Sequence, residues 1–387
     1  LSKFVVRFLK RGSMLQIAKN QQMQRETSLI RVFFALKANS PLTKNDICVR
    51  LNLSRPTVDK AITTLLEQGL VMRDGHDPSE GGRRPVLYKL NGQARYTIGG
   101  DLELPELNLV LCGLDGILVT SKAFTVPDHL VADPRRSLKF VSESIRELLS
   151  EERVALDRIV GIGIGVPAFL KGDTITISGD NLPQWVQVPA KPMLEQLLGV
   201  PVSVDNDVNF MALSENHAMG YKDRVMGYIA LRRGLKGDMR MGGSILLDGK
   251  VFHGGGGNAA SLQRAYVEAG KLKGLLDKNI TSMASVEELA SLVADSLIEP
   301  IMHMVMLFDP NRLVIDAAIL ERAEEAFIER VSANLRASLS GEFKWEFEVS
   351  MAQDRWFGCA KGGALFVLQE VFKQPAALIE ELTAFPS

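Results

Sequence analysis

Ser54 stands at the start of a helix-forming stretch whose first turns present Arg55, Thr57 and Lys60, with Thr63 behind them, and Arg83 and Arg84 lie in a short turn farther along. Hydroxyl, ammonium and guanidinium donors in this arrangement meet phosphate oxygens and base edges of duplex DNA, so their chemistry is recognition rather than bond-making. The Arg83-Arg84 pair, flanked by Gly81-Gly82 and Pro85, can be pressed against a phosphate or into a minor groove. A second group is Asp205-Asn206-Asp207, two carboxylates and an amide closing an apolar run. Polar groups at the carboxyl end of a parallel strand sit where open α/β sheets take ligands, and these can grip hydroxyls.

Each group needs elements to hold it. Thr43 is placed to cap a helix over Lys44–Leu51, with Ile47, Val49 and Leu51 apolar and Lys44, Asn45 and Arg50 exposed. After a turn at Asn52-Leu53, Ser54 caps a second helix with Pro56 in its first turn. Val58, Ile62, Leu65 and Leu66 return at helical spacing and Gly69 ends it, which leaves Arg55, Thr57 and Lys60, with Thr63 behind, on the face of a recognition helix. Leu70–Arg73 and Val86–Leu90 read as a two-stranded wing, and a helix over Glu26–Lys37 supports the unit through Leu29, Ile30, Phe33, Phe34 and Leu36. Charge agrees: residues 1–95 hold 17 Lys and Arg against 7 Asp and Glu, leaving 28 against 39 for the remainder. A basic front favours a polyanion through counterion release, while an acidic back repels it and belongs to a domain with another task.

With 387 residues, 46% hydrophobic and 24% charged, the chain exceeds one ordinary core, and two or three globular units are expected. Cys48, Cys112 and Cys359 are odd in number and widely spaced, which supports reduced thiols over a disulfide framework or a zinc site. No run reaches the roughly 18 apolar residues of a membrane span. Leu1–Met14 lacks the sustained apolar core and cleavage site of a secretory signal; it reads as a frayed helix or as an extended start with Met14 a second beginning, and the expected location is cytoplasmic.

Beyond a boundary near residue 95 the pattern becomes α/β. Thr97–Leu102, Leu107–Leu114 and Ile117–Val126 read as a meander, Pro134–Leu149 as a helix and Ile159–Val166 as a buried strand. Lys191–Leu198 reads as a helix and Val202–Val204 as a strand, with a helix starting near Val208. Ala259–Leu276 reads as one helix, Leu320–Leu339 as a solvated surface helix, and Met302, Met304, Met306 and Phe308 as core. His253 with Gly254–Gly257 reads as a flexible hairpin end, because no Lys-Ser or Lys-Thr follows to make a phosphate loop. Trp185 is expected beside Asn181 at a cleft rim, and Gly362-Gly363 to let a final helix pack closely.

Six stretches occur in order: Arg83-Arg84-Pro85, Gly161-Ile-Gly-Ile-Gly-Val-Pro167, Asn181-Leu-Pro-Gln-Trp185, Val204-Asp-Asn-Asp-Val-Asn209 followed by Glu215, Gly243-Ser-Ile-Leu-Leu-Asp-Gly249, and Phe308-Asp-Pro-Asn311. Together they resemble the ROK family of repressors, open reading frames and sugar kinases, over almost everything from Glu26 onward. The resemblance implies an α/β chain with an N-terminal winged helix-turn-helix at 26–95, after an extension at 1–25. A two-lobed actin-like sugar-kinase fold follows at 96–387, lobe 1 at about 96–202 with the C-terminal helix and lobe 2 at about 203–355. It also implies effector binding by Asn181, Asn206 and Asp207, the last at the position of the family's catalytic base.

The departures from the family matter as much. Where family kinases have an Asp-x-Gly-x-Thr phosphate turn, Asp101 is followed by Leu102, Glu103, Leu104 and Pro105. The second phosphate loop is the bulky, charged Leu231–Arg240, and an adenosine-side diglycine is replaced by Asp316-Ala317-Ala318. Phosphoryl transfer depends on positioning and charge stabilisation, so no catalytic residue and no cofactor is expected. Ser261 stands where the family has a sugar-gripping Glu, and Arg264 where it has a His on structural zinc; no cysteine cluster follows, and no metal is expected. Exchanging a carboxylate for Ser261 and adding Arg264 makes the pocket less negative, which suggests an effector bearing a carboxylate or phosphate as well as hydroxyls.

The whole implies a repressor that works as a homodimer or homotetramer on an imperfectly palindromic double-stranded operator and answers to a small sugar or sugar acid. The rival readings are an ATP-dependent sugar kinase with a DNA-binding arm and a DNA-binding protein with no effector.

Overall fold

A computed structural model describes residues 27–77, 84–178, 182, 184–220, 223–233, 239–262, 266–267, 283–339, 346–355 and 357–373. They divide into two units, one of the described residues within 1–96, 113–117 and 368–387, the other of those within 97–112 and 118–367.

In the first unit a helix α1 spans 27–39, followed by β1 (Leu42–Thr43), α2 (Lys44–Leu51), α3 (Arg55–Glu67), β2 (Val71–His76) and β3 (Val86–Leu90). Thr43 and Asp46 form a capping box: Asp46 N–H donates to Thr43 Oγ1 at 3.2 Å and Thr43 N–H to Asp46 Oδ2 at 2.9 Å. Ser54 caps α3, with Pro56 in the first turn and Val58, Ala61, Ile62 and Leu65 buried. The helix ends at Glu67, two residues before the expected Gly69, which takes a positive φ of 68° in the turn into β2. Val49 is not part of the core: it is 75% exposed, because α2 has room to bury one ridge and Ile47 occupies it. The wing sheet has the order β1-β3-β2, and β2 runs to His76 rather than stopping at Arg73. Phe33 and Phe34 of α1 meet Phe372 with ring centroids 5.9 Å apart, and Lys37 Nζ sits 3.6 Å over the Phe372 ring.

Among the described residues the second unit holds two large sheets and a two-stranded hairpin. The first has the order β10-β7-β4-β5-β6, from β4 (Tyr96–Glu103), β5 (Glu106–Gly113), β6 (Leu118–Thr125), β7 (Ile159–Val166) and β10 (Val202–Asn206). Helices α4 (Asp128–Val131) and α5 (Pro134–Glu151), a hairpin of β8 (Ala168–Lys171) with β9 (Thr174–Ser178), and α6 (Ala190–Leu198) fill its connections. β10 lies parallel to β7 and leads directly into α7 (Asp207–Ala218).

The second sheet runs β13-β12-β11-β15-β16, with β14 against β12. Its strands are β11 (Val225–Arg233), β12 (Met239–Leu247), β13 (Lys250–Val251), β14 (Tyr266–Val267), β15 (Arg312–Asp316) and β16 (Glu348–Met351). α8 (Met283–Phe308), α9 (Glu324–Ser338) and α10 (Gly358–Lys373) complete the described chain. Val286–Phe308 is apolar and long enough to cross a membrane, but Leu289, Val293, Leu297, Ile301 and Val305 are buried in the core that α8 shares with this sheet.

Three helix expectations need correction. Ala259 and Ala260 form a turn and Tyr266–Val267 pairs with Met239–Arg240 as a strand, so no single helix spans Ala259–Leu276; the rest of that segment lies outside the described residues. Edge pairing to β12 outweighs the helical spacing of its apolar residues. α9 is not a solvated helix, since Phe327, Val331 and Leu335 are buried in the core containing α8; its charges occupy the remaining face. Met304 is core, whereas Met306 is 51% exposed.

The two glycines of α10 work as expected. A Cβ at Gly362 would lie 1.7 Å from Phe210 O, and one at Gly363 2.5 Å from Gly163 O. Gly362→Ala is therefore expected to cost about 3 kcal/mol by forcing α10 off α7, measured as a fall in the urea midpoint with an unchanged slope.

Candidate functional site

The predicted recognition face is held by local chemistry. Thr57 N–H donates to Ser54 Oγ at 3.4 Å, and the two hydroxyls lie 2.8 Å apart, so Ser54 and Thr57 first serve to start α3. Arg55, Lys60 and Thr63 are exposed, as is Arg84 beside Pro85. Arg83 lies outside the described residues. Asp59, absent from the sequence reading, is clamped by Lys44 at 2.8 Å and Arg55 at 3.2 Å; the hydrogen bond from Lys44 is the chief reason its carboxyl stays below the usual range. Asp59 thus holds two cations of α2 and α3 over one face. The Arg55–Asp59 spacing of four was legible as a helical pair, the Lys44 contact was not.

The predicted ligand residues sit at the β10–α7 junction. Asn206 is the N-cap of α7: Val208 N–H donates to its Oδ1 at 3.1 Å and its Nδ2 donates to Ala168 O at 3.1 Å. Asp207 is 5% exposed and accepts from Val208 N–H at 2.9 Å. Burial pushes its carboxyl up to about 7, against the field of Arg232. Ser261 is exposed, while Asn181 and Arg264 lie outside the described residues. Trp185 is fully buried rather than at a rim, because its indole provides more apolar area than any cleft edge could cover.

Asp205, the first residue of the Asp205-Asn206-Asp207 motif, anchors a relay. His253 Nε2 lies 2.6 Å from Asp205 Oδ2, Asn209 Nδ2 donates to Asp205 Oδ1 at 2.9 Å, and Ser244 Oγ donates to Asn209 Oδ1 at 2.8 Å. The relay ties β10 and α7 to β12 and to the loop after β13.

The three positions that the resemblance assigned to nucleotide contacts share one cation. Instead of turning after Asp101, β4 continues through a buried Leu102 to Glu103. Arg232, in the segment matching the second phosphate loop, lies with Nη1 3.4 Å from Asp316 Oδ2 and 3.0 Å from Leu231 O. Its charge acts on Asp101 and Asp207, whose carboxyls burial lifts to about 6 and about 7. Burial lowers the Arg232 proton affinity, but Asp316 and Asp207 more than offset it and the net shift is upward. Asp101 Oδ1 is buried with no hydrogen-bond partner among the described residues. Burial and the two aspartates push the Cys359 thiol up, so it stays protonated beside them.

Glu215, the acid that closes the Asp205–Asn209 motif, accepts from the N–H groups of Gln353 and Asp354 at 3.0–3.1 Å and so fixes the loop before α10. Among the described residues no three His, Cys, Asp or Glu side chains converge as metal ligands.

Comparison with known proteins follows this division. Residues 113–268 match the model of the ROK family and residues 30–84 that of the MarR family. The xylose repressor of Caldicellulosiruptor bescii is 27% identical over 244 residues, 63% of this chain and 59% of that protein. The chain thus spans about three fifths of the length of this curated relative. A crystal structure of a ROK family transcriptional regulator, a homolog of the E. coli MLC protein, superposes with a TM-score of 0.68 at 15% identity, covering 93% of this chain and 99% of that one. The ROK hexokinase from Thermus thermophilus superposes with a TM-score of 0.59 at 20% identity, over 72% of this chain and 99% of that one. At these identities both structures show the fold.

Proposed function

We propose that this chain, in which a MarR-type winged helix-turn-helix precedes a ROK family domain, is a sequence-specific DNA-binding repressor of carbohydrate genes that a sugar effector releases from its operator. One observation carries the reading: a capped α3 presents Arg55, Lys60 and Thr63 to solvent, in a chain whose β4 runs on as strand past Asp101 to Glu103, where the resemblance puts a phosphate turn. The name of the C. bescii relative makes an aldopentose the first effector to try.

In this reading residues 26–95 are the reader and 96–387 the sensor. Ser54 and Thr57 position α3; Arg55, Lys60, Thr63, Arg83 and Arg84 contact DNA. Asn206 and Asp207, with Asn181, Ser261 and Arg264, face the effector. Two copies in a symmetric dimer, or a tetramer of such dimers, read an imperfect palindrome in the cytoplasm. The effector acts by favouring one arrangement of the two lobes over the other.

Arg55→Ala is expected to weaken specific binding by about 1–3 kcal/mol and to relax preference at one base pair, whereas Lys60→Ala weakens all duplexes alike and lowers the salt slope by about one. Quantitative footprinting at several salt concentrations separates the two; an Arg55 variant with an unchanged footprint removes that residue from base reading.

A second reading, a sugar kinase, is favoured by Asp207 alone, since a carboxyl titrating at about 7 suits a general base at neutral pH. Coupled ADP release across a sugar panel decides between them. The repressor reading expects no turnover, and turnover abolished by Asp207→Asn overturns it.

A further inference from the structure

We propose that a cavity beside the sugar cleft binds the phosphate of a small phosphorylated sugar, as a second ligand site on the sensor. The cavity has a volume of about 380 Å³ and lies among Leu170–Asp173 at the tip of the β8–β9 hairpin, Lys191, Ser203–Asp205, Phe366, and the His253–Gly257 loop. Neither Asn206, Asp207 nor Ser261 lines it. The volume is within the roughly 300–1,000 Å³ of small-molecule sites and is more than a bare phosphate requires.

The glycine loop gives the strongest indication. Gly254 and Gly257 are required by the fold: both have positive φ, 68° and 80°, and a Cβ at Gly257 would lie 2.2 Å from Leu170 O. Gly255 and Gly256 are not. Neither has a positive φ, a Cβ at Gly255 would meet nothing within 4 Å, and one at Gly256 would meet only the Asn258 amide at 3.8 Å. Glycine where the fold could carry a side chain leaves bare backbone at the cavity wall, and bare N–H groups are what an oxyanion approaches.

The charges fit the same ligand. Asp173 is ion-paired with Lys191 at 3.2 Å, and Asp205 is hydrogen-bonded to His253 at 2.6 Å and to Asn209 at 2.9 Å. Lys171 is exposed at the cavity and makes no ion pair among the described residues. An entering phosphate therefore meets one uncommitted ammonium, a second shared with Asp173, and the glycine backbone. The absence of a Lys-Ser after the glycines, which argued against a nucleotide loop, does not count against a site whose lysines come from the hairpin and α6. The walls come from both lobes, so an occupant bears on their closure; that consequence alone rests on the effector-sensing reading.

The test is isothermal titration of the full chain with ribose 5-phosphate, ribose and inorganic phosphate, in the parent and in two variants. Lys171→Gln, and separately Gly255→Ala with Gly256→Ala, are expected to weaken ribose 5-phosphate at least tenfold while leaving the melting temperature and the response to neutral aldopentose unchanged. Inorganic phosphate is expected to compete weakly; binding as tight as the sugar phosphate supports the site and names the free ion as its ligand. No binding of ribose 5-phosphate, equal binding of ribose, or unchanged affinity in both variants overturns the proposal. Failure here with retained release of DNA by neutral sugar leaves the repressor reading standing.

Discussion

Arg232→Met is expected to destabilise the second unit by about 3 kcal/mol at pH 8, and by much less at pH 5. Removing one partner of a largely buried ion pair leaves its carboxylates without a counter-charge, which costs far more than the pair itself contributes. Here the guanidinium lies 3.4 Å from Asp316 and its field reaches Asp101 and Asp207. Those two carboxyls take protons at about 6 and about 7, so at pH 5 they are neutral and need less compensation. Urea unfolding across pH, with Asp207→Asn added to Arg232→Met, measures the coupling. Equal loss at both pH values, or strictly additive substitutions, would reduce Arg232 to a packing role.

Asp207→Asn alone is expected to raise stability by about 2 kcal/mol at pH 8 and to weaken effector binding. The sign follows from linkage. A carboxyl at about 7 in the folded chain, against about 4 unfolded, binds more protons when folded, so its contribution is fully favourable below the unfolded value and falls as pH rises through the folded one. An amide carries no charge to desolvate and keeps an oxygen for the Val208 N–H. The decline of stability between about pH 4 and 7 should accordingly flatten. A variant less stable than the parent at pH 8 would show that the Arg232 attraction outweighs burial.

What the sequence made legible is what depends on near neighbours. Thr43 and Ser54 as caps, Pro56 in a first turn and the Gly-interleaved run at Ile159–Val166 are local signals, and the elements lie where those signals put them. Val49 escaped because periodicity does not say how wide a face the partner can cover. The Tyr266–Val267 strand and the Arg232–Asp316 contact depend on register between distant segments, which no local pattern contains. The Asp205–His253 contact, bridging residues 48 positions apart, escaped for the same reason. Asn206 was legible as a polar group at a strand end; that its amide would be engaged in capping α7 and holding Ala168 was not.

The central claim, a DNA reader governed by a sugar cleft, is tested most directly by binding the full chain to genomic duplex fragments against random competitor at moderate salt, with and without aldopentose. A sugar-released repressor retains a small set of fragments sharing an imperfect palindrome and lets them go when the sugar is added. Equal retention of all duplexes, or a selected set that no sugar or sugar phosphate releases, would contradict it.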